Sequence, residues 1–244
     1  MQFRDDTKMA DLIHNNYLLL PILNRFNIQL GFGDKTVAEL CTELNINCDF
    51  FLVIANSFHD HNYFPQEKLL EFPLSLLIDY IQKSHIYYLE IKVPHIESLI
   101  VTLSESGDQS QQKHMNLIEE FFSEYKKELI SHIQDEEDEV FPYVRLLDKA
   151  YCSDTIGKEY QQLIRKQSIN SYAEKHNNVE EKLFDLKNII IKYMPPARNF
   201  TISNTLLIEL FRLERDLNDH ARIEDKVLIP KVQMIEQEIL ERLR

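Results

Sequence analysis

Beyond residue 74 the chain carries apolar residues at alternating steps of four and three. Ile118, Phe122, Tyr125 and Leu129 keep this rhythm in one stretch, and Leu206, Leu210, Leu213 and Leu217 keep it in another. Two further stretches follow it: Leu74, Ile78, Ile81 and Tyr88, then Ile169, Tyr172, Val179, Leu183, Leu186 and Ile190. Side chains three and four residues apart share one face of an α-helix, so the alternation marks the buried stripe of a bundle helix. It predicts long helices over about 74–104, 113–149, 166–193 and 203–242. Ser106-Gly107-Asp108, the segment 153–157 and Pro195-Pro196 separate them with turn-forming residues. Four long helices with short links predict an all-α, antiparallel four-helix bundle over 74–244.

Residues 1–64 read as a small helical domain, with helices expected at Asn15–Phe26, Thr36–Leu44 and Asp49–Asn62. Thr36-Val37-Ala38-Glu39 has the spacing of a capping box, and Gly31-Phe32-Gly33-Asp34 before it holds two of only four glycines. The segment 65–73, bounded by Pro65 and Pro73, is expected to link this domain to the bundle.

The apolar stripes are interrupted at matching places. After Leu129 the next two steps fall on His132 and Glu136, and after Leu217 on His220 and Glu224. His85 continues the stripe of the first helix, and His176 lies on that of the third. His132-x3-Glu136-x5-Pro142 recurs as His220-x3-Glu224-x5-Pro230, 88 residues later, and His85 and His176 are 91 apart. The second helix pair therefore reads as a copy of the first. A buried carboxylate without a counter-charge costs several kcal/mol. Two glutamates beside four histidines, with no Lys or Arg at the adjoining stripe positions, are satisfied together by bound cations. A four-residue helical step rises ~6 Å and turns only ~40° past a full turn, so His and Glu so spaced reach one metal pair. Four imidazoles and two carboxylates fit a dinuclear site of iron, manganese or zinc. The metal-free alternative is a polar layer of histidines hydrogen-bonded to glutamates. Ferritin-like bundles differ, since they use Glu-x-x-His and carboxylate-rich sets.

Composition narrows the partners. A net charge of −13 disfavours nucleic acid, whose affinity rests on Lys and Arg at phosphates. Residues 36–58 scan loosely as helix-turn-helix, but 49–61, the candidate reading helix, contains no Lys or Arg. No apolar run is long enough to span a bilayer, and residues 1–6 lack the pattern of a secretory signal, so a cytoplasmic protein with no membrane partner is expected. Cys41, Cys48 and Cys152 form neither a CxxC nor a zinc-like spacing. His14, His95, His114 and the His59-Asp60-His61 cluster read as surface residues.

These motifs resemble the hemerythrin-like family, and within it the di-iron proteins of iron–sulfur cluster repair. The residues that carry the resemblance are His132-Ile-Gln-Asp-Glu136 through Pro142, Asp219-His220-Ala-Arg-Ile-Glu224 through Pro230, Ser84-His85, and Glu174-Lys-His176. Segment 26–41 is similar to the family's small N-terminal domain, although Gly31 and Phe32 stand where the family usually carries adjacent cysteines. The resemblance implies two iron ions, oxo- or hydroxo-bridged, with His85, His132, His176 and His220 as terminal ligands and Glu136 and Glu224 as bridges. It further implies a small gas partner, NO or O2, and a stress role in repairing damaged iron–sulfur proteins by iron delivery or NO reduction. Iron–sulfur client proteins are then partners. Chemistry resting on the absent cysteine pair does not carry over, and non-catalytic binding or sensing of the gas stands as the other reading. Oligomeric state is left open.

Overall fold

The computed structural model describes residues 2–106, 112–173, 181–194 and 199–244. His176, Val179, Gly107-Asp108 and Pro195-Pro196 lie outside them. Among the described residues there is no β-strand; one isolated antiparallel bridge joins Lys8 to Thr36. No helix there is long and apolar enough to cross a membrane. Contacts divide the chain into two compact units, one up to Ser84 with Lys226–Leu228, the other His85–Asp225 with Ile229–Arg244.

The first unit contains α1 (Met9–Asn15), a 3-10 turn (Tyr17–Leu19), α2 (Leu20–Arg25), α3 (Val37–Glu43), α4 (Cys48–His59), α5 (Gln66–Glu71) and all but the end of α6 (Leu74–Ile86). The capping box forms: Thr36 Oγ1 accepts from Glu39 N at 3.2 Å, and Thr36 N donates to Glu39 Oε2 at 2.7 Å. Gly31 and Gly33 take φ of +100° and +64°, a region that glycine enters more readily than residues with a Cβ. Asn47 caps α4 by accepting from Phe50 N at 2.9 Å. Buried Asn56 holds the N-terminal segment through both its amide atoms, accepting from Phe3 N at 2.7 Å and donating to Phe3 O at 3.0 Å. The helix expected at Asn15–Phe26 starts at Tyr17 as a 3-10 turn and runs on as α2 to Arg25, and extended Asn16, whose side chain caps the turn, breaks it from α1. The segment expected as a linker folds as α5, and the contact boundary falls later, within α6.

In the second unit the helices are α7 (Val93–Ser106), α8 (Gln112–Asp135), α9 (Phe141–Tyr151), α10 (Glu159–Lys166), α11 (Ile169–Ala173), α12 (Glu181–Asn188), α13 (Phe200–Ile223) and α14 (Ile229–Arg242). α7 and α12 each pack on both α8 and α13, while α9 packs on α14 and α14 also receives α10 and α11. The stripe residues are buried: Ile118, Phe122, Tyr125 and Leu129 from α8 meet Leu206, Leu210, Leu213 and Leu217 from α13 and Leu183 and Leu186 from α12 in one core. The third stretch differs from expectation, since the chain leaves helical geometry at Gln167 (φ −140°) and restarts at Ile169.

Four wide π turns interrupt these helices: π1 (Tyr87–Lys92), π2 (Glu136–Val140), π3 (Ile189–Tyr193) and π4 (Glu224–Leu228). In each, the N–H after the turn bonds five residues back: Val93 to Tyr88 O, Phe141 to Glu136 O, Met194 to Ile189 O and Ile229 to Glu224 O. The next residue in every case is proline, at 94, 142, 195 and 230. Proline has no N–H to give and its ring clashes with the carbonyl four residues back, so a widened turn before it relieves both problems. The repeated Glu-x5-Pro spacing thus has a backbone meaning: a glutamate carbonyl is joined across a π turn to the residue before proline.

Candidate metal centre

Three of the four bundle stretches contribute to one buried cluster in the second unit. His85, at the end of α6, His220, in the last turn of α13, and Glu136 and Glu224, which open π2 and π4, each offer a ligating atom, all within 4.8 Å of one another. All four residues are buried. His85 Nε2 lies 3.1 Å from Glu136 Oε2 and 3.2 Å from His220 Nε2, and His220 Nε2 lies 2.8 Å from Glu224 Oε1. His132, slightly more exposed, places Nε2 3.5 Å from Glu136 Oε1. The structure therefore gathers four of the six residues expected from the sequence and sets His132 beside Glu136, while His176 lies outside the described residues.

The donor set fits a cation. His85 Nδ1–H donates to Glu137 Oε1 at 2.8 Å, which leaves the Nε2 lone pair of a neutral ring aimed at the cluster centre. A carboxylate behind a histidine in this way fixes its tautomer and raises its basicity as a ligand. Two imidazole nitrogens 3.2 Å apart cannot both present lone pairs to each other beside two carboxylates unless positive charge sits among them. With no cation bound, a proton on His85 supplies that charge. Burial works against its protonation, but hydrogen bonds to Glu136 and Glu137 and the charges of Glu136 and Glu224 outweigh it and push the pKa up to about 9.

Aromatic side chains wall the cluster. Phe141, directly after π2, stacks on His85 with centroids 5.8 Å apart and rings 16° from parallel. Tyr88, the acceptor end of π1, sets its ring edge-on to His220 at 5.5 Å and donates its hydroxyl to Asp216 Oδ1 at 3.2 Å. Tyr172 donates its hydroxyl to Glu136 Oε1. Burial and the charges of Glu136 and Glu224 keep that phenol protonated well above the ordinary tyrosine range. The start of α11, the helix that carries Tyr172, is anchored by Glu236 of α14, whose Oε1 accepts from Ile169 N at 2.8 Å and from Tyr143 Oη. Asp216 and Glu236 escape the sequence pattern; their only signal is an acidic residue on an otherwise apolar helix face.

The profile of the hemerythrin HHE cation binding domain matches residues 95–232, more than half of the chain. The chain belongs to the hemerythrin family. The hemerythrin match includes His132, Glu136, His220 and Glu224 but begins ten residues after His85, whose place in the cluster comes from the structure. The hemerythrin domain here is also part of a longer likeness. The chain is 20% identical to the iron-sulfur cluster repair protein ScdA of Staphylococcus haemolyticus (strain JCSC1435) over 231 residues, covering 93% of this chain and 98% of that protein.

If Tyr172 steadies Glu136 for cation binding in this hemerythrin domain, Tyr172→Phe lowers cation affinity by ~10–100-fold, the usual cost of losing a hydrogen bond behind a ligand. Competition against a chelator of known affinity measures the loss, and unchanged affinity rules out the role. Tyr193→Phe, at an exposed ring, is the control.

Proposed function

We propose that this chain holds two iron ions on His85, His132, Glu136, His176, His220 and Glu224 and serves, in the cytoplasm, in the response to nitrosative or oxidative stress by supporting repair of damaged iron–sulfur clusters. What carries the repair reading is the extent of the likeness: it runs through nearly all of a repair protein, N-terminal part included, rather than through the hemerythrin segment alone. The donor set supports iron, since mixed imidazole and carboxylate ligation suits it. When bound, two ferrous ions would supply electrons and binding positions for a small gas such as NO or O2.

The protein's own residues prepare for this. Glu136 and Glu224 carry the negative charge that balances the cations. Glu137 orients His85, and Tyr172 holds one oxygen of Glu136. Phe141 and Tyr88 keep bulk water from the histidine faces, which strengthens charge interactions inside. A second reading, binding or sensing of the gas without turnover, is favoured by one specific observation: Gly31 and Phe32 occupy the turn where the resemblance expects adjacent cysteines.

The deciding experiment is metal analysis and absorption spectroscopy of protein purified without oxygen. About two irons per chain supports the proposal, and zinc alone or no metal sinks it. Exposure of the reduced protein to NO then separates the readings. Formation of N2O supports turnover, whereas reversible binding without N2O supports the sensor.

A further inference from the structure

The first unit contains a pair of thiols that the metal centre does not use. α3 ends at Glu43, Asn45 takes a left-handed φ of 54°, and Ile46 N bonds back to Cys41 O at 2.8 Å. Asn47 then caps α4, so only four residues lie between the end of α3 and Cys48, the first residue of α4. The two thiols are hydrogen-bonded to one another. Their surroundings differ: Cys41 is 1% exposed, while Cys48 is partly open to solvent. Cys152, exposed in the second unit, is a built-in comparison.

We propose that Cys41 and Cys48 form a disulfide-forming dithiol, oxidised by small disulfides of the glutathione type, with Cys48 as the attacking thiol and Cys41 as the resolving one. Each role follows from access. A soluble disulfide can reach Cys48 but not Cys41, and the sulfur within reach of Cys41 is that of Cys48. In the first step Cys48 loses its proton and attacks one sulfur of the oxidant. The oxidant's S–S bond breaks, and the departing thiolate takes up the proton. In the second step Cys41 loses its proton and attacks the Cys48 sulfur; the mixed disulfide breaks and the second small thiol leaves protonated. Two protein thiols are thus oxidised by two electrons, and one small disulfide is reduced to two thiols. A helix N-terminus favours the Cys48 thiolate. Burial raises its pKa against the hydrogen bond from Cys41, with Asp49 and Asp5 adding to burial, so exchange is slow at neutral pH and needs sustained oxidant. Burial raises Cys41 further, up to about 12, which suits a thiol that reacts only with a sulfur already beside it.

Peptide mapping tests this on the full chain. No Lys or Arg lies between Lys35 and Lys68, so trypsin releases both cysteines in one peptide. After incubation with oxidised glutathione, acid quench, denaturation and alkylation, that peptide should be lighter by two hydrogen atoms and carry no alkyl label. Cys41→Ser should trap glutathione on Cys48. Cys48→Ser should leave Cys41 as a free thiol that alkylates fully once denatured. The proposal is overturned if the wild-type peptide carries two alkylated thiols under conditions that load glutathione onto Cys152, or if glutathione stays on Cys48 without resolution. Should either variant fail to fold, the wild-type peptide decides alone. Its outcome is independent of metal content.

Discussion

Glu224→Ala is expected to lose cation binding by more than ~100-fold, beyond the range seen for residues that only support ligands. Glu224 is buried, with Oε1 2.8 Å from His220 Nε2. Alanine removes a charge from the centre of the cluster and leaves nothing of similar reach. The loss also appears as stability. A ligand at 100 times its Kd stabilises the folded state by about 2.7 kcal/mol, or roughly 5–10 °C in Tm for a chain of this size. Wild type should show that shift on adding Fe(II), and Glu224→Ala should not. Without metal the two proteins should melt within a few degrees of each other, because the deleted carboxylate shares its site with Glu136 and contributes repulsion as well as its contact to His220. His95→Ala, at an exposed histidine, should behave as wild type in both measurements. Equal metal-dependent shifts in wild type and Glu224→Ala would remove Glu224 from the site.

The second large effect lies away from the cluster. Lys92, the last residue of π1, is buried and paired with Glu209 of α13, which also accepts from Arg212 Nη1 at 2.7 Å. Glu209→Ala leaves the Lys92 ammonium in the interior without its carboxylate, at a cost of about 3–5 kcal/mol in denaturant unfolding. Replacing both partners, as in Lys92→Met with Glu209→Leu, should recover most of that loss, because no buried charge then remains. Burial by itself raises the Glu209 pKa, but the bonds to Lys92 and Arg212 outweigh it and hold the carboxyl below its ordinary 4.5. Its stabilising contribution is therefore complete above pH 4.5 and is lost as pH falls through the lower folded-state value. Wild type should lose stability over that acid window more steeply than Glu209→Gln. Parallel acid profiles for the two would show that the pair does not titrate with folding.

Much of this was readable from residue spacing. The four-and-three alternation located the buried stripes of α8 and α13, and His132, Glu136, His220 and Glu224 stood out as polar residues continuing an apolar series. The capping box at Thr36 was legible because both its bonds are local. What escaped was either backbone detail or long-range pairing. The break at Asn16 follows from a side chain capping its own neighbourhood, and Gln167 leaves the helix without glycine or proline to announce it. Tyr88 meets Asp216 across 128 residues, and Tyr143 meets Glu236 across 93, so no local pattern records either pair. His85 was legible from the helical rhythm and from its 91-residue offset to His176, without the His-x3-Glu spacing that marks the other two helices.

The prolines after the wide turns have a consequence for movement. An extra residue in a helix is normally a travelling defect: its five-back bond can be handed to the next N–H along, and the bulge migrates. Proline at 94, 142 and 230 has no N–H to receive it, so migration toward the C-terminus is blocked at the first step. Each bulge is trapped where it begins, at Tyr88, Glu136 and Glu224. Two of those residues belong to the cluster and the third touches it through its ring. The helices can therefore breathe elsewhere while the heights of both carboxylates along their axes stay locked, so filling or emptying the centre need not re-register the bundle.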